Sequence, residues 1–372
     1  MRHILFISHA RGIHGAEAVM VRAAKACAAT GARVTVVVPS LVEDAGMEQA
    51  LSGIERLQVL ALPYRAAGGS MIRTRLVQCY NWFALNQLKR FVEREQVDTI
   101  YSNTSITILG AELARRTGVR HVWHFHEPVD ERFGWHFTMR NYYRSLVKAT
   151  ETIVCISKQQ LAEWQQTLEM PLKQAQIVYN PIKAISVPSA ARRTSRDEVR
   201  IGFIGHFEER KNLPLLVQTF VKVHDQMPNT RLYLCGAVDR NDEAYIAQMT
   251  DLREPVLTVL PQTHEVEKFY NNIDILVLPS WRETMPLVVF EAMQAGVCVL
   301  QTNRSGMSEL LEGKKETLFF SPDREEELEQ LLMNCMDTGY RQSIAQAGQK
   351  KVQELLKNSS FDNQIANLLC EL

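Results

Sequence analysis

The sequence predicts an α/β protein built from two doubly wound parallel-sheet domains. Short runs rich in β-branched residues alternate with helical patterns along the whole chain, which is typical of βαβ units. The alternation occurs twice, and between the two series residues 184–199 lose apolar periodicity and gather Ser, Pro and Arg. We therefore expect a first domain over 1–183, a linker over 184–199, a second domain over 200–355, and a helix over 356–372 that packs back on the first domain.

The first series of elements begins close to the N-terminus. An apolar run at 4–7 leads into a glycine-containing loop and then into a helical pattern over about 16–29, which stops at Gly31. A long amphipathic helix is expected over about 70–95. The remaining strands of this series are expected at 34–38, 57–60, 99–101, 122–124 and 153–156.

The second series follows the linker. The last helical patterns, over about 324–336 and 340–372, contain few strand formers. In doubly wound sheets ligands bind beyond the carboxyl ends of the strands, and the two sheets are expected to face one another across a cleft. Strands are expected at 200–204, 231–234, 257–260, 275–278 and 297–300.

Length and composition exclude several classes of protein. With 372 residues, of which 46% are hydrophobic and 23% charged, the chain has enough material for buried cores and lacks the bias of a disordered or fibrous protein. The formal net charge of zero argues against a chain built mainly to bind nucleic acid. Seven scattered cysteines without a C-x-x-C pair fit a reducing compartment. There is no signal-peptide pattern and no apolar run of 18 residues, so we expect a cytoplasmic protein.

Basic and aromatic residues concentrate in the first half of the chain. Residues 1–180 carry 21 Lys and Arg against 15 Asp and Glu, whereas residues 181–372 carry 21 against 27. The stretches 64–96 and 133–144 interleave basic residues with Trp, Tyr and Phe. Such segments bind anionic membrane surfaces, although more often they pack their aromatic rings into a core. Peripheral attachment to the inner face of the cell membrane is therefore one of two open interpretations.

Two glutamates flank the start of a predicted helix in the second half. Pro286 suits the first turn of a helix, which places Glu283 in the preceding loop and Glu291 about five residues inside the helix. A helix N-terminus presents free N–H groups and a positive dipole end, which suits a diphosphate. Carboxylates on either side suit the hydroxyls of a sugar and of a ribose, because a vicinal diol donates twice to one carboxylate. The alternative is an ordinary helix with two polar surface residues.

This stretch resembles the signature of retaining glycosyltransferases of family four, which have the GT-B fold of two facing Rossmann-like domains. The resemblance rests on Glu283-x7-Glu291, and it extends in the same order over most of the chain. Each piece is weak alone, but their shared order makes the resemblance specific. The other pieces are His14-Gly15-Ala16-Glu17, His126-Glu127-Pro128, Ser157, Val178-Tyr179-Asn180-Pro181, Gly202-Phe203-Ile204-Gly205, Lys211, Leu234-Cys235-Gly236 and the segment from Thr302 to Glu309.

The resemblance implies roles for residues of the second domain. Glu283 corresponds to the carboxylate near the donor sugar, with the backbone of Met285 and Leu287 beside sugar and phosphate. Glu291 corresponds to the ribose ligand. Lys211 corresponds to a phosphate-binding lysine, whose charge stabilises the departing nucleotide diphosphate.

The resemblance also implies three candidates in the first domain. His126 takes the position of a histidine near the reacting sugar, and Gly15 and Ala16 border the donor or acceptor site. The alternatives are a structural histidine at a strand end and a plain tight turn. His121, His124 and His126 lie close in sequence, but no further ligands stand at zinc spacing, so no metal is expected.

Two departures from the family pattern concern the phosphate site. The family usually has an arginine after the glycine that ends the strand, whereas this chain has Gly205-His206. Arg210 is the candidate substitute, with a solvated helix start as the alternative, and His206 would contribute a hydrogen bond without a full charge. Pro286 stands where the family commonly has a glycine, which removes one N–H donor.

We expect a hexosyltransferase-type enzyme that moves a sugar from a UDP- or GDP-linked donor to a saccharide or lipid-linked acceptor, as in polysaccharide or glycolipid assembly. The resemblance implies retention of configuration, and the leaving phosphate oxygen then takes the acceptor's proton. None of the twelve Asp residues is followed by another two positions later, so no cofactor or metal is expected.

One alternative is a catalytically silent sugar-nucleotide-binding subunit of a glycosylation complex. The other, a nicotinamide-dependent dehydrogenase, is disfavoured because Gly12-x-x-Gly15 lacks the dinucleotide fingerprint.

Overall fold

The computed structural model describes residues 1–371 apart from 41–44, 66–70, 130–138, 186–197, 238–255 and 264. The described chain forms two compact units, Met1–Pro181 with Ser360–Leu372 (unit 1) and Ile182–Ser359 (unit 2). Most of the predicted linker, and the aromatic cluster at 133–137 in one of the two basic stretches, lie outside the described residues.

Unit 1 contains a seven-stranded parallel sheet of spatial order β3-β2-β1-β4-β5-β6-β7. Because the first strand lies inside the sheet and later strands were added on both sides, the sheet is doubly wound, which confirms the predicted fold class. The three-residue strand at the far edge was not predicted from the sequence. The strands are β1 His3–Ile7, β2 Arg33–Pro39, β3 Leu57–Leu62, β4 Thr99–Asn103, β5 Arg120–Phe125, β6 Thr152–Cys155 and β7 Ala175–Ile177.

Helices cover both faces of this sheet. Successive residues of a strand point to opposite faces, so Phe6 of β1 packs with the first helix while Ile7 packs with the third and fourth. Strands buried on both faces read as continuous apolar runs, which is why these strands were recognisable in the sequence. The helices are α1 Gly15–Ala29, α2 Gly46–Leu51, α3 Met71–Glu95, α4 Leu109–Thr117, α5 Arg140–Ala149 and α6 Lys158–Leu168.

Unit 2 contains a six-stranded parallel sheet of order β10-β9-β8-β11-β12-β13. It is doubly wound in the same way, and its three-residue edge strand was also missed by the sequence analysis. The strands are β8 Val199–Ile204, β9 Thr230–Gly236, β10 Leu257–Pro261, β11 Ile275–Leu278, β12 Cys298–Thr302 and β13 Leu318–Phe320. The described helices are α7 Leu213–Gln226, α8 Val266–Tyr270, α9 Leu287–Gln294, α10 Glu325–Asn334 and α11 Thr338–Lys357.

The last helix of the chain belongs to unit 1. The apolar pattern over 340–372 is not one helix, since α11 ends at Lys357 and α12 runs over Phe361–Cys370 after a short break of Asn and Ser residues. Phe361, Ile365 and Leu369 are buried in the same cluster as the apolar residues of α1. Arg22 of α1 also pairs with Asp362, with 2.7 Å between nitrogen and oxygen.

Each sheet has one point where the winding reverses direction. In unit 1 this point lies between β1 and β4, and in unit 2 between β8 and β11. Loops that leave neighbouring strands in opposite directions open a crevice there, and ligands of doubly wound sheets bind in it.

Candidate functional site

Glu283 lies in the loop that follows β11, at the reversal point of unit 2. Its backbone N–H donates to the Arg304 carbonyl (2.9 Å), which fixes the loop against the segment after β12. Its side chain is 8% exposed. The Ser280 hydroxyl donates to Oε1 of this carboxylate at 2.7 Å. The alternative of a polar surface residue is therefore excluded for Glu283.

Two cations from the loop after β8 meet this carboxylate. Lys211 Nζ donates to Glu283 Oε1 at 2.6 Å, and Arg210 Nη1 lies 3.4 Å from Oε2. Both cations belong to the 3-10 turn Glu209–Lys211. The Trp281 N–H donates to the Arg210 carbonyl (3.0 Å), so a backbone hydrogen bond joins the two loops. The reversal point thus brings together residues that are 72 positions apart in sequence.

The cations keep Glu283 ionised. Burial disfavours the charged carboxylate, but the charges of Lys211 and Arg210 and the hydrogen bonds from Lys211 and Ser280 outweigh burial and lower the pKa of Glu283 to about 2. Arg210 also pairs with Glu208 at 2.6 Å. Two carboxylates therefore balance two cations, which holds both cations in place before any anionic ligand arrives.

The helix α9 begins directly after this loop. Pro286 occupies its N-cap position with an extended backbone, one residue before the first helical turn in which the sequence analysis placed it. Among the described residues, no backbone carbonyl accepts a hydrogen bond from the N–H of Met285 or of Leu287. Met285 is 4% exposed, whereas Leu287 is partly exposed. The start of α9 thus has the N–H donors that suit an anion.

Glu291 is the fifth residue of α9 and is partly exposed. The hydroxyl of Tyr270, at the end of α8, donates to Glu291 Oε2 at 2.8 Å. Burial raises the pKa of Glu291, while the Tyr270 hydrogen bond and the charge of Lys183 oppose this shift. The carboxylate thus has one fixed donor and partial access to solvent, which is compatible with binding a hydroxyl pair.

Gly205 and His206 follow β8. Gly205 has a φ of +156°, and its carbonyl oxygen would lie 1.9 Å from a Cβ added at Gly236. A side chain at position 236 is therefore impossible without moving the end of β8. His206 is exposed, and it lies on the same βα loop as Arg210 and Lys211.

In unit 1, His126 directly follows β5 and is 7% exposed. The Asn103 amide donates to the Ala16 carbonyl (3.3 Å), so its Oδ1 accepts from His126 Nε2 at 3.0 Å. Burial lowers the pKa of His126 to about 3, so the ring is neutral. Asn103 thus connects His126 to the segment of Gly15 and Ala16. Among the described residues, a Cβ added at Gly15 would meet no atom within 4 Å beyond its own neighbours along the chain, so this segment borders open space.

The neighbouring histidines have structural partners. His121 lies between the hydroxyls of Ser102 and Thr150, each at 2.9 Å, and the rings of His124 and His126 are tilted by 36° with centroids 4.0 Å apart. Within the described part of the chain, no group of three or more His, Cys, Asp or Glu side chains could hold a metal ion.

Three contributing residues were not identified from the sequence: Ser280, Tyr270 and Asn103. Ser280 stands only three positions before Glu283, so it was the easiest of them to find. Tyr270 and Asn103 reach their partners through tertiary contacts across 21 and 23 positions, which no local pattern indicates.

Two family models match this chain. The model described as Glycosyltransferase Family 4 matches residues 13–184, and the model described as Glycosyl transferases group 1 matches residues 198–338. An uncharacterised glycosyltransferase of Haemophilus influenzae is 24% identical over 257 residues, which are 67% of this chain and 69% of that protein. The capsular polysaccharide biosynthesis glycosyltransferase CapM of Staphylococcus aureus is 24% identical over 176 residues, or 45% and 44% of the two chains.

Solved structures share the fold. The crystal structure of Anabaena HepE in complex with UDP and glucose superposes with a TM-score of 0.82 at 18% identity, over 100% of both chains. WaaG, a glycosyltransferase involved in lipopolysaccharide biosynthesis, superposes with a TM-score of 0.73 at 14% identity, over 99% of this chain and 100% of that one. The matched models, together with these GT-B neighbours, show that the chain belongs to the family 4 type of GT-B glycosyltransferases.

Proposed function

We propose that the protein is a hexosyltransferase that moves a sugar from a nucleotide-sugar donor to a saccharide or lipid-linked acceptor, with retention of configuration and without a metal. The observation that carries the proposal is the buried, ionised Glu283 with Lys211 and Arg210 at the reversal point of unit 2. Membership of the family supports the transferase chemistry, and the relative CapM supports polysaccharide assembly as the process.

In this proposal the donor is linked to UDP or GDP. The diphosphate lies at the start of α9 against Lys211 and Arg210, with Gly205 and His206 beside it, and Glu291 accepts from the ribose hydroxyls. Glu283 accepts from the hydroxyls of the transferred sugar, for which an ionised carboxylate is the stronger acceptor. HepE binds UDP and glucose in its crystal structure, which supports a uridine nucleotide as the first candidate.

The chemical step breaks the bond between the anomeric carbon and the phosphate oxygen and forms a bond from the same face to the acceptor oxygen. The leaving phosphate oxygen takes the acceptor's proton. Negative charge grows on the departing diphosphate, and Lys211, Arg210 and the N-terminal end of α9 stabilise it without a metal. His126, neutral and fixed by Asn103, is proposed to contact the reacting sugar from unit 1, where Gly15 and Ala16 border the substrate.

Turnover by the purified chain tests the proposal. We expect UDP- or GDP-sugar consumption with an α-linked product from an α-linked donor, identified by the anomeric proton coupling in NMR, and unchanged rates after EDTA treatment. Glu283→Gln should lower kcat by about 100-fold or more. Glu312→Gln, an exposed glutamate paired with Lys315, is the matched control. Unchanged turnover in a folded Glu283→Gln protein would defeat the assignment.

A second candidate function is a catalytically silent sugar-nucleotide-binding subunit. His206 in place of the usual family arginine is the observation that favours it. Such a protein would bind UDP or GDP with the contacts proposed above, yet neither hydrolyse nor transfer the sugar. Single-turnover assays at high enzyme concentration separate the two functions.

We also propose peripheral attachment to an anionic membrane through α3. Its exposed apolar residues Leu76, Tyr80 and Phe83 follow helical spacing, with Trp82 and the basic Arg75 beside them. Among the described helices, none is both long and apolar enough to cross a membrane. In flotation assays with phosphatidylglycerol vesicles, we expect the wild-type protein to float. A smaller fraction of the Phe83→Ser variant should float, whereas Val259→Ser on β10 should float like the wild type. If the protein floats with no vesicle, the proposal of membrane attachment is wrong, and the argument for a lipid-linked acceptor becomes weaker.

A further inference from the structure

A carboxylate–imidazole pair stands at the reversal point of unit 1 beside the candidate residues. His9 follows β1 by two residues, and Glu17 lies in the first turn of α1. Glu17 Oε1 is 2.8 Å from His9 Nδ1. The Glu17 side chain is 1% exposed and that of His9 is 22% exposed. Because a buried carboxylate is costly without a partner, this geometry makes His9 the counter-ion of Glu17.

One ring nitrogen of His9 is buried and the other is accessible. Nδ1 of His9 is buried against Glu17, so the accessible part of the ring is the edge that carries Nε2. His14 and Gly15, where the loop after β1 enters α1, are exposed, and a Cβ at Gly15 would meet no other described atom within 4 Å beyond its chain neighbours. Nε2 is therefore the nitrogen of His9 that a ligand can reach.

The charged neighbours of His9 favour its protonated form. Burial disfavours the imidazolium, but the hydrogen bond and charge of Glu17 and the more distant charge of Glu127 outweigh it and raise the pKa of His9. The pKa of Glu17 is lowered, since its contact with His9 outweighs the effect of burial. His126 also interacts electrostatically with His9, but its own ring is neutral because burial lowers its pKa to about 3.

The protonation state of the His9 ring determines whether Nε2 accepts or donates a hydrogen bond. In a neutral ring with its proton on Nδ1, next to Glu17, Nε2 carries a lone pair and accepts from a hydroxyl. In the imidazolium both nitrogens donate, and Nε2–H then suits an anionic oxygen.

We propose that His9, held at Nδ1 by Glu17, donates from Nε2 to an anionic phosphate oxygen of a substrate bound at the carboxyl end of the unit 1 sheet. The inference rests on the proposed function, because that oxygen belongs to a nucleotide-sugar donor or to the phosphate of a lipid-linked acceptor. His9 is then a substrate-binding residue, and Glu17 is the residue that positions and charges it.

The test follows the His9 ring in the full chain by NMR of 13C-labelled histidine, with the signal assigned by His9→Gln. The probes are inorganic pyrophosphate, UDP and geranyl diphosphate. We expect one or more of them to raise the pKa of His9. We also expect His9→Gln to weaken binding of UDP or of geranyl diphosphate by about 10- to 100-fold, the effect of one charge-assisted hydrogen bond. A loss for UDP alone places the oxygen on the donor, and a loss for geranyl diphosphate alone places it on the acceptor.

Controls separate this inference from other outcomes. Glu17→Gln should lower the pKa of His9 in the free protein, and His14→Gln, in the same loop, should bind all probes like the wild type. A His9 signal that no probe moves, or a pKa that falls on binding, overturns the inference. The wild-type titration decides the question even if Glu17→Gln does not fold. If His9→Gln transfers sugar at the wild-type rate and affinity, the inference about His9 is wrong and the proposed function is unaffected. If the wild-type His9 signal responds to a probe but the protein transfers no sugar, the proposed function is wrong.

Discussion

At the scale of single residues, the contact between Lys211 and Glu283 serves both stability and chemistry. It places a cation next to a carboxylate, with the two side chains 15% and 8% exposed. Removing one member of such a pair leaves the other charge buried with less compensation. The same two groups are proposed to bind opposite parts of the donor.

We predict that Glu283→Gln and Lys211→Met each lower the free energy of unfolding by about 3–5 kcal/mol, and that the double variant loses less than the sum. Urea titration at pH 7 measures all three values. Additive losses would show that the two charges do not stabilise one another in the folded protein.

The pH dependence of this effect has a definite sign. The pKa of Glu283 falls from an ordinary value of 4.5 to about 2 on folding. A depressed carboxyl pKa contributes stability above about pH 4.5, and that contribution is lost as the pH falls towards 2. The stability difference between the wild type and Glu283→Gln should therefore shrink over this interval, as followed by thermal unfolding in a pH series.

Tyr270 is predicted to support nucleotide binding through Glu291. Tyr270→Phe removes the hydrogen bond that opposes the raised pKa of Glu291, so this pKa should rise further. Affinity for UDP should fall about 3- to 10-fold, in line with the loss of one hydrogen bond, and binding should weaken at a higher pH than in the wild type on acidification. Calorimetry between pH 5 and 8 measures this. Tyr233→Phe on β9 is the control, and identical curves for both variants would contradict the prediction.

At the scale of elements, the ends of β8 and β9 set the position of the cationic loop. The Gly205 carbonyl lies where a side chain at Gly236 would be, so the two strands approach as closely as the backbone allows. This contact precedes the turn that carries Arg210 and Lys211. Glycine is therefore required structurally at position 236, outside the residues proposed to contact the donor, as well as at Gly205, whose φ is +156°.

We predict that Gly236→Ala is destabilising by about 1–3 kcal/mol, because the end of β8 must shift. Gly15→Ala should leave the free energy of unfolding within about 0.5 kcal/mol of the wild type, since its Cβ meets no protein atom within 4 Å. Differential scanning calorimetry of the two variants checks this contrast. If both variants were equally stable, the ends of β8 and β9 could move apart without a loss of free energy of unfolding, which would contradict this prediction.

The sequence predicted most elements but missed two strands. Runs such as Ile275–Leu278 are buried on every side and stand out as apolar segments. The strands β7 and β13 have three residues each and lie at sheet edges, so their apolar signal is too short to distinguish from a loop.

At the scale of the whole molecule, the chain ends in the unit in which it begins. The helix α12 packs on α1, although more than 300 residues separate Arg22 from Asp362. The C-terminal helix is therefore part of the core of unit 1.

Phe361→Ala should destabilise unit 1 by about 3–5 kcal/mol, because it leaves a cavity beside α1. Arg22→Ala should change stability by less than about 1 kcal/mol, since its ion pair is exposed. Limited proteolysis with mass spectrometry should show new cleavage in residues of unit 1 before those of unit 2. Preferential cleavage in unit 2 would contradict the placement of α12.

The sequence by itself determined the α/β class, the order of the main strands and the candidacy of Glu283, Glu291 and Lys211, because these depend on local apolar periodicity and on motifs along the chain. The tertiary structure decided which groups meet. Lys211 reaches Glu283, Tyr270 reaches Glu291, and His9 reaches Glu17, since parallel strands end at one edge of a sheet whatever their distance in sequence. The burial of these side chains and their protonation states follow from these tertiary contacts, which no single segment of the chain determines.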